Sequence, residues 1–160
     1  MNSWELFLAL KGEADNIDSE YLTQVNEYDE KQSPLGSAQY IIQSVAKYNL
    51  EIFSEIKNRN CVIMSEEIDS NKLEDFTLRI NQYMDDHIPD QPDFKEYIRI
   101  ISTYLTFVAR KPLHPPGMLF SDNQKIIEQD NNYYCPAKSK YILSDRSLCE
   151  YCIAKCLRYI

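Results

Sequence analysis

Four of the five cysteines in this 160-residue chain lie in its last 40 residues, and their spacing is the strongest constraint on the fold. They follow the pattern C-x13-C-x2-C-x3-C, at Cys135, Cys149, Cys152 and Cys156. A C-x2-C pair with further thiols nearby is typical of a metal site in a protein that is not secreted. Structural disulfides and free thiols are the alternatives. The pattern indicates a bound metal and does not name a reaction.

Length and hydrophobicity indicate one globular domain. The chain has 160 residues, and 44% of them are hydrophobic, which is enough to bury a core. The N-terminal apolar run is short and has no basic flank, so no secretory signal is expected. The most apolar segment, residues 97–109, is too short for a membrane span and contains Arg99. These features predict a soluble, cytoplasmic protein that makes no membrane contact.

The charge is unevenly distributed. Residues 1–109 hold 9 basic and 20 acidic side chains (−11), and residues 110–160 hold 8 and 5 (+3), which together give the net charge of −8. Broad electrostatic capture of nucleic acid needs a large positive surface. The overall acidity therefore argues against a nucleic-acid partner, and we expect a protein partner instead.

Apolar residues recur at helical spacing through the first 111 residues. Helices are predicted to begin near Trp4, Ser19, Ser37, Ser70 and Pro92. The last of them has the widest apolar stripe, so we expect it to be the central helix of a bundle. The short apolar run at residues 61–64 fits either a strand or a buried turn.

A proline-rich connection then leads to the cysteine-rich end. Residues 124–129 and 132–134 flank Asp130-Asn131, which predicts a hairpin that ends at Cys135. Ser147 is predicted to cap a last helix carrying the other three thiols. The expected fold is mainly α, a bundle of four to five helices with a small C-terminal β-hairpin and a cysteine-bearing helix. It forms a single domain over residues 1–160, divided into a bundle (1–111) and a hairpin-helix appendage (112–160).

The predicted helix limits the choice of metal ligands. Cys149, Cys152 and Cys156 would share one helix face, with the outer two about 10 Å apart along the axis. One zinc ion, with Zn–S bonds of about 2.3 Å, would hardly span that distance. It would instead take Cys135, Cys149 and Cys152 with His114 as the fourth ligand. An iron–sulfur cluster is larger and could use all four cysteines.

The basic tail offers a weaker alternative. Aromatic and basic side chains can stack on and neutralise a nucleic-acid strand. The candidates are Tyr133, Tyr134, Lys138, Lys140 and Tyr141. Packing around the hairpin is their other expected use.

Three segments of the C-terminal region are distinctive in combination. They are Lys111-Pro112-Leu113-His114-Pro115-Pro116-Gly117, Tyr133-Tyr134-Cys135-Pro136 and Leu148-Cys149-x-Tyr151-Cys152. Together they resemble an uncharacterised protein family of methane-producing archaea, most closely over the C-terminal third. The resemblance implies an anaerobic setting and no assigned activity.

The resemblance also implies which residues would bind the metal. It matches His114, Cys135, Cys149 and Cys152. Cys156 departs from the family pattern, as do residues 121–123, where a Pro-Gly-like turn is expected. The departures favour a His-Cys-Cys-Cys set. The leading hypothesis is therefore a binding or regulatory module with a structural zinc site, and the alternative is an iron–sulfur redox or cluster-carrying protein.

Overall fold

The computed structural model describes residues 1–18, 20, 33–61 and 65–157, and this part of the chain is mainly helical with a small sheet near the C-terminus. Its longer helices are α1 (Ser3–Asp15), α2 (Ala38–Asn58), α3 (Ser70–His87) and α4 (Pro92–Tyr104). The predicted mainly α fold is confirmed. Within the described ranges, no helix has the length and apolar character that crossing a membrane requires. The helix expected from Ser19 and the apolar run at residues 62–64 fall outside the described residues.

The helix starts follow local capping chemistry. The Asn2 side chain accepts a hydrogen bond from the Glu5 backbone, and the Glu5 carboxylate accepts one from the Asn2 backbone. Ser37 caps α2, as predicted. At α3 the prediction was wrong by one residue, since the cap is Asp69 and not Ser70. The Asp69 carboxylate accepts from two backbone amides and also carries the negative charge that a helix N-terminus favours.

Helix α4 is the centre of the bundle, as predicted. It packs against α1, α2 and α3, and its residues Tyr97, Ile100, Ile101 and Tyr104 are almost completely buried. The helix continues as a π-helical turn over Leu105–Ala109 and ends where Arg110 adopts a left-handed conformation, with φ of 54°. This ending turns the chain toward the proline-rich segment.

Helix α2 contributes to two separate apolar clusters. Its C-terminal half buries Ile52 and Ile56 in the main core, together with α1 and α4. Its N-terminal half packs Ile41 and Val45 against a second cluster, which is centred on Met118, Ile126, Cys135 and Ala154. The second cluster belongs mostly to residues beyond 111. The proposed division of the domain at this point remains a prediction.

The C-terminal hairpin is confirmed. Strand β1 (Ile127–Gln129) pairs antiparallel with β2 (Asn132–Cys135). Asp130 and Asn131 connect them with φ of 51° and 63°, the positive values that a two-residue type I′ turn requires. A third strand, β3 (Lys155–Cys156), pairs parallel to β2 and places Cys156 opposite Cys135.

The predicted cysteine-bearing helix is wrong. A short helix α5 (Lys138–Tyr141) follows the hairpin, and Cys149 and Cys152 then lie in turns that lead into β3. The amides of Tyr151 and Cys152 both donate to the Leu148 carbonyl, which closes a single turn. The chain then enters β3, which pairs with β2. The argument that Cys149 and Cys156 lie too far apart on one helix to bind the same zinc ion therefore does not apply.

Replacing Gly36 with alanine should destabilise the fold, because Gly36 has φ of +77° and an added Cβ would lie 2.6 Å from the Phe120 carbonyl oxygen. We expect the free energy of unfolding to fall by about 1–3 kcal/mol. Gly12→Ala is the matched control, because this position in α1 has nothing within 4 Å of an added Cβ, and it should gain about 0.5–1 kcal/mol. Urea denaturation measures both, and an unchanged midpoint for Gly36→Ala would contradict the close contact with Phe120.

Candidate metal-binding site

Two of the candidate cysteines are neighbours through the sheet. Cys135 is the last residue of β2 and is buried, and Cys156 is its register partner in β3. Adjacent strands lie about 4.8 Å apart, and paired residues project to the same face. The pairing therefore brings together two thiols that are 21 positions apart in the chain.

The C-x2-C pair lies beside them. Cys152 packs against the second apolar cluster, which contains Cys135, and Cys149 and Cys152 are minor causes that raise the pKa of Cys135. The Leu113 amide donates to Cys152 Sγ at 3.5 Å, which holds the turn against the proline-rich segment. The structure thus places Cys156 opposite Cys135 and packs Cys152 against the cluster that contains Cys135, while Cys149 lies in the turn three residues before Cys152.

Burial keeps the thiols of Cys135 and Cys149 protonated at neutral pH, because it raises the pKa of each. It is the largest cause that raises the pKa of Cys135, and the backbone amides of Ala137 and Lys138 only partly oppose it. Burial also raises the pKa of Cys149, against a lowering by the Ser147 hydroxyl. Catalytic thiols have lowered pKa values, so neither cysteine resembles an activated nucleophile. A metal ion would displace these protons.

Lys138 joins the parts of the site. Its side chain is buried, and Nζ donates to the carbonyl oxygens of Cys152 at 2.7 Å and Ala154 at 2.5 Å. These bonds connect the segment after Cys135 to the segment between the other cysteines. The weaker nucleic-acid hypothesis used Lys138 as a surface cation, and that role is wrong because the ammonium group points inward.

Helix α3 supports the C-x2-C turn from the bundle side. Arg79 Nη1 donates to the Ser147 carbonyl at 3.2 Å and to Glu150 at 3.0 Å. Its guanidinium lies 4.9 Å from the Tyr151 ring centroid, and Tyr151 packs edge-on against Phe76. Sequence reasoning missed Arg79, because its partners are about 70 positions away and leave no local signal.

His114 is placed differently from the cysteines. Its ring packs edge-on against Phe120 at 6.4 Å between centroids. Burial lowers its pKa, which favours the neutral imidazole that a metal ligand requires. Its neighbour Leu113 contacts Cys152, but no electrostatic interaction between the imidazole and the thiols contributes to that shift. His114 remains a candidate ligand by prediction alone.

The side chains do not form a ready coordination shell. All five cysteines are free thiols. Across residues 1–18, 20, 33–61 and 65–157, no group of three or more His, Cys, Asp or Glu side chains is arranged to hold a metal ion. The cysteines are therefore neighbours whose sulfur atoms would have to reorient around an ion, and metal binding stays a prediction.

Tyr48 fastens the proline-rich segment to α2. Its buried hydroxyl donates to the Pro112 carbonyl oxygen at 2.8 Å. Burial is the main cause that raises the pKa of Tyr48, and the nearby groups of Tyr133 and Cys152 add to it. Tyr48 belongs to the main core, and Pro112 begins the segment that leads to the second apolar cluster. The hydrogen bond therefore links the two parts of the structure.

Comparison with known proteins assigns the chain to a family. The model of the family described as "Uncharacterized protein conserved in archaea (DUF2115)" matches residues 2–156. The chain belongs to the DUF2115 family. It is 38% identical over 159 residues to a UPF0305 protein of Methanocaldococcus jannaschii, covering 97% of this chain and 96% of the relative.

Relatives in other methane-producing archaea agree with this assignment. A UPF0305 protein of Methanococcus maripaludis strain C7 is 29% identical, over 97% of both chains. One from Methanothermobacter thermautotrophicus is 25% identical, over 96% of both. No solved structure matches the chain. The resemblance to a methanogen family is thus confirmed, whereas the three C-terminal segments as marks of the DUF2115 family stay a prediction.

Replacing Tyr48 with phenylalanine should lower the free energy of unfolding at pH 7 by about 0.5–1.5 kcal/mol, because the Pro112 carbonyl loses its donor. Since the pKa of Tyr48 is raised in the folded state, its contribution is complete below about pH 10 and is lost as the pH rises further. Wild-type stability should therefore fall more steeply above pH 10 than that of Tyr48→Phe. Denaturation curves from pH 7 to 11 measure this. Tyr141→Phe, at an exposed tyrosine, is the control and should match wild type.

Proposed function

We propose that this DUF2115 protein is a metal-binding module in which Cys135, Cys149, Cys152 and Cys156 hold one zinc ion. The supporting observation is the strand pairing that sets Cys156 opposite Cys135, together with the packing of Cys152 against the cluster that contains Cys135. Structural zinc sites commonly use four cysteines in a closed tetrahedral shell. The four cysteines of the C-terminal pattern match that donor set in number and type.

The strand at Cys156 changes the preferred fourth ligand. On a helix, Cys156 would have been too far from Cys149 to share one ion. In β3 it lies opposite Cys135 instead, while His114 packs against Phe120. We therefore assign Cys156 to the proposed zinc site in place of His114.

The proposed metal has a structural role. It would connect the hairpin, the C-x2-C turn and β3, which are otherwise joined by a few hydrogen bonds and a small apolar cluster. Because burial keeps Cys135 and Cys149 protonated, thiol catalysis is not part of the proposal. We propose a binding or regulatory role that depends on a protein partner, with the zinc ion fixing the shape of the C-terminal region.

The test is metal analysis of protein purified without oxygen. We expect one zinc per chain and no visible absorption. Cys149→Ser combined with Cys152→Ser should abolish zinc binding and lower the free energy of unfolding by about 2.7 kcal/mol where free zinc is about 100-fold above Kd. Cys61→Ser is the matched control, since Cys61 is exposed and lies on another segment, and it should keep both zinc and stability.

Single variants decide the fourth ligand. Cys156→Ser should lose zinc affinity, and His114→Ala should retain it. The reverse result would support the histidine-containing set. A brown protein that contains iron and acid-labile sulfide would show that the bound group is an iron–sulfur cluster and not zinc. Protein without any metal, together with an unchanged midpoint for the double variant, would contradict the proposal.

A further inference from the structure

A small apolar cavity opens between α2 and α5. Its volume is about 270 Å³, and its apolar walls are Ile41, Phe120, Pro136 and Ala137. All of these except Pro136 also pack against the second apolar cluster, which fixes the cavity floor. Cavities that hold small molecules are usually larger, about 300–1,000 Å³. This one has the size and character of a pocket for a single apolar side chain of a protein.

An exposed leucine lies beside the cavity. Tyr141 lines the cavity edge, and its carbonyl oxygen accepts from the Ser144 amide at 3.0 Å and from the Ser147 hydroxyl at 2.7 Å. These bonds close a turn over residues 141–144, with Leu143 at its tip. Leu143 is 97% exposed, at a turn position where polar residues are usual. Its Cα is at most about 7.6 Å from that of Tyr141, because successive Cα atoms are about 3.8 Å apart. The chain therefore presents an apolar side chain next to an apolar cavity.

Other exposed apolar side chains adjoin this pair. Leu35 is exposed and precedes Gly36, whose backbone lies against the carbonyl of Phe120. Ile42 is exposed and follows Ile41 in α2. Clustered apolar side chains on a protein surface mark sites of association. We call the cavity, with the exposed residues Leu35, Ile42, Tyr141 and Leu143, the α2–α5 face.

The rim of the cavity carries two opposite charges. Asp122 and Lys140 both line it and are both exposed. The Asp122 carboxylate accepts from the Gln124 amide. Over the residues that the structure describes, neither charge takes part in an ion pair. Charges around an apolar centre are typical of protein interfaces, where they fix the orientation of the partner.

We infer that the α2–α5 face binds a second copy of this chain, and that Leu143 of each copy enters the cavity of the other. In a two-fold symmetric dimer each contact occurs twice, with the roles of the two residues exchanged. A protruding side chain beside a cavity on the same surface meets this requirement, because one docking event fills both cavities. The same exchange lets Lys140 of one copy pair with Asp122 of the other. This inference goes beyond the proposed zinc site and does not depend on it.

The test is sedimentation velocity on the full chain in a reducing buffer, which excludes disulfide-linked dimers. A series from about 1 to about 300 μM covers micromolar dissociation constants. We expect the average mass to rise with concentration from 18.8 kDa toward twice that value. Leu143→Asp should weaken the dimer roughly 100-fold or more, because two leucines lose their burial and two carboxylates would enter apolar cavities. Leu78→Asp, at an exposed leucine on α3, is the matched control and should dimerise like wild type.

A charge exchange tests the two-fold geometry. Asp122→Lys and Lys140→Asp each place like charges opposite one another in the dimer, and each should weaken it several-fold. The double variant restores opposite charges and should regain most of the lost affinity. Additive losses in the double variant would overturn the two-fold arrangement, because they are what independent local roles of the two residues predict.

Three further results would overturn the inference. Wild-type protein that stays at 18.8 kDa over the whole series does not associate through this face. A dimer that Leu143→Asp leaves intact is formed by another surface. Because Leu143 is almost fully exposed, Leu143→Asp should unfold in urea like wild type. A lower midpoint for the monomeric variant would show that another part of the same chain covers Leu143.

Discussion

The continuous apolar face of α2 is the feature on which the rest of the structure depends. One half of the helix is buried with α1 and α4 in the main core, and the other half covers the cluster around Met118 and Ile126. A 21-residue helix spans about 31 Å, long enough to serve both. Tyr48 lies near the middle and bonds to Pro112. The C-terminal region is therefore positioned by a helix that the bundle already fixes.

Within that region, long-range pairing decides which thiols meet. The two-residue strand β3 pairs with β2 and places Cys156 opposite Cys135. Arg79 and Phe76 on α3 hold the C-x2-C turn from outside, while Lys138 holds it from within. The thiols thus depend on contacts from the sheet, the bundle and a buried cation, and a metal ion would add a fourth constraint at the same point.

Local chemistry explains which elements could be predicted. Ser37 caps α2 because its hydroxyl accepts from an amide three residues ahead, and Asp130-Asn131 turns the hairpin because both residues tolerate positive φ. The helix expected after Ser147 failed for the opposite reason. The spacing of thiols and apolar residues after Ser147 is compatible with a helix and also with a series of turns. The structure has the turns, and they lead into the strand that pairs with β2. Lys138 illustrates the same limit, since its burial follows from packing and its side chain reads as a surface cation in the sequence.

The sequence by itself determined the mainly helical bundle, its central helix, the hairpin and the identity of the candidate thiols. These properties depend on spacing, capping and turn chemistry within a few residues, which are visible in the chain. Only the tertiary structure decided that Cys156 is a neighbour of Cys135, that His114 packs against Phe120, and that Lys138 turns inward. The physical reason is that these contacts join residues that are distant in the chain. Burial of apolar surface and strand pairing bring them together, and no short segment of sequence shows which distant residues will meet.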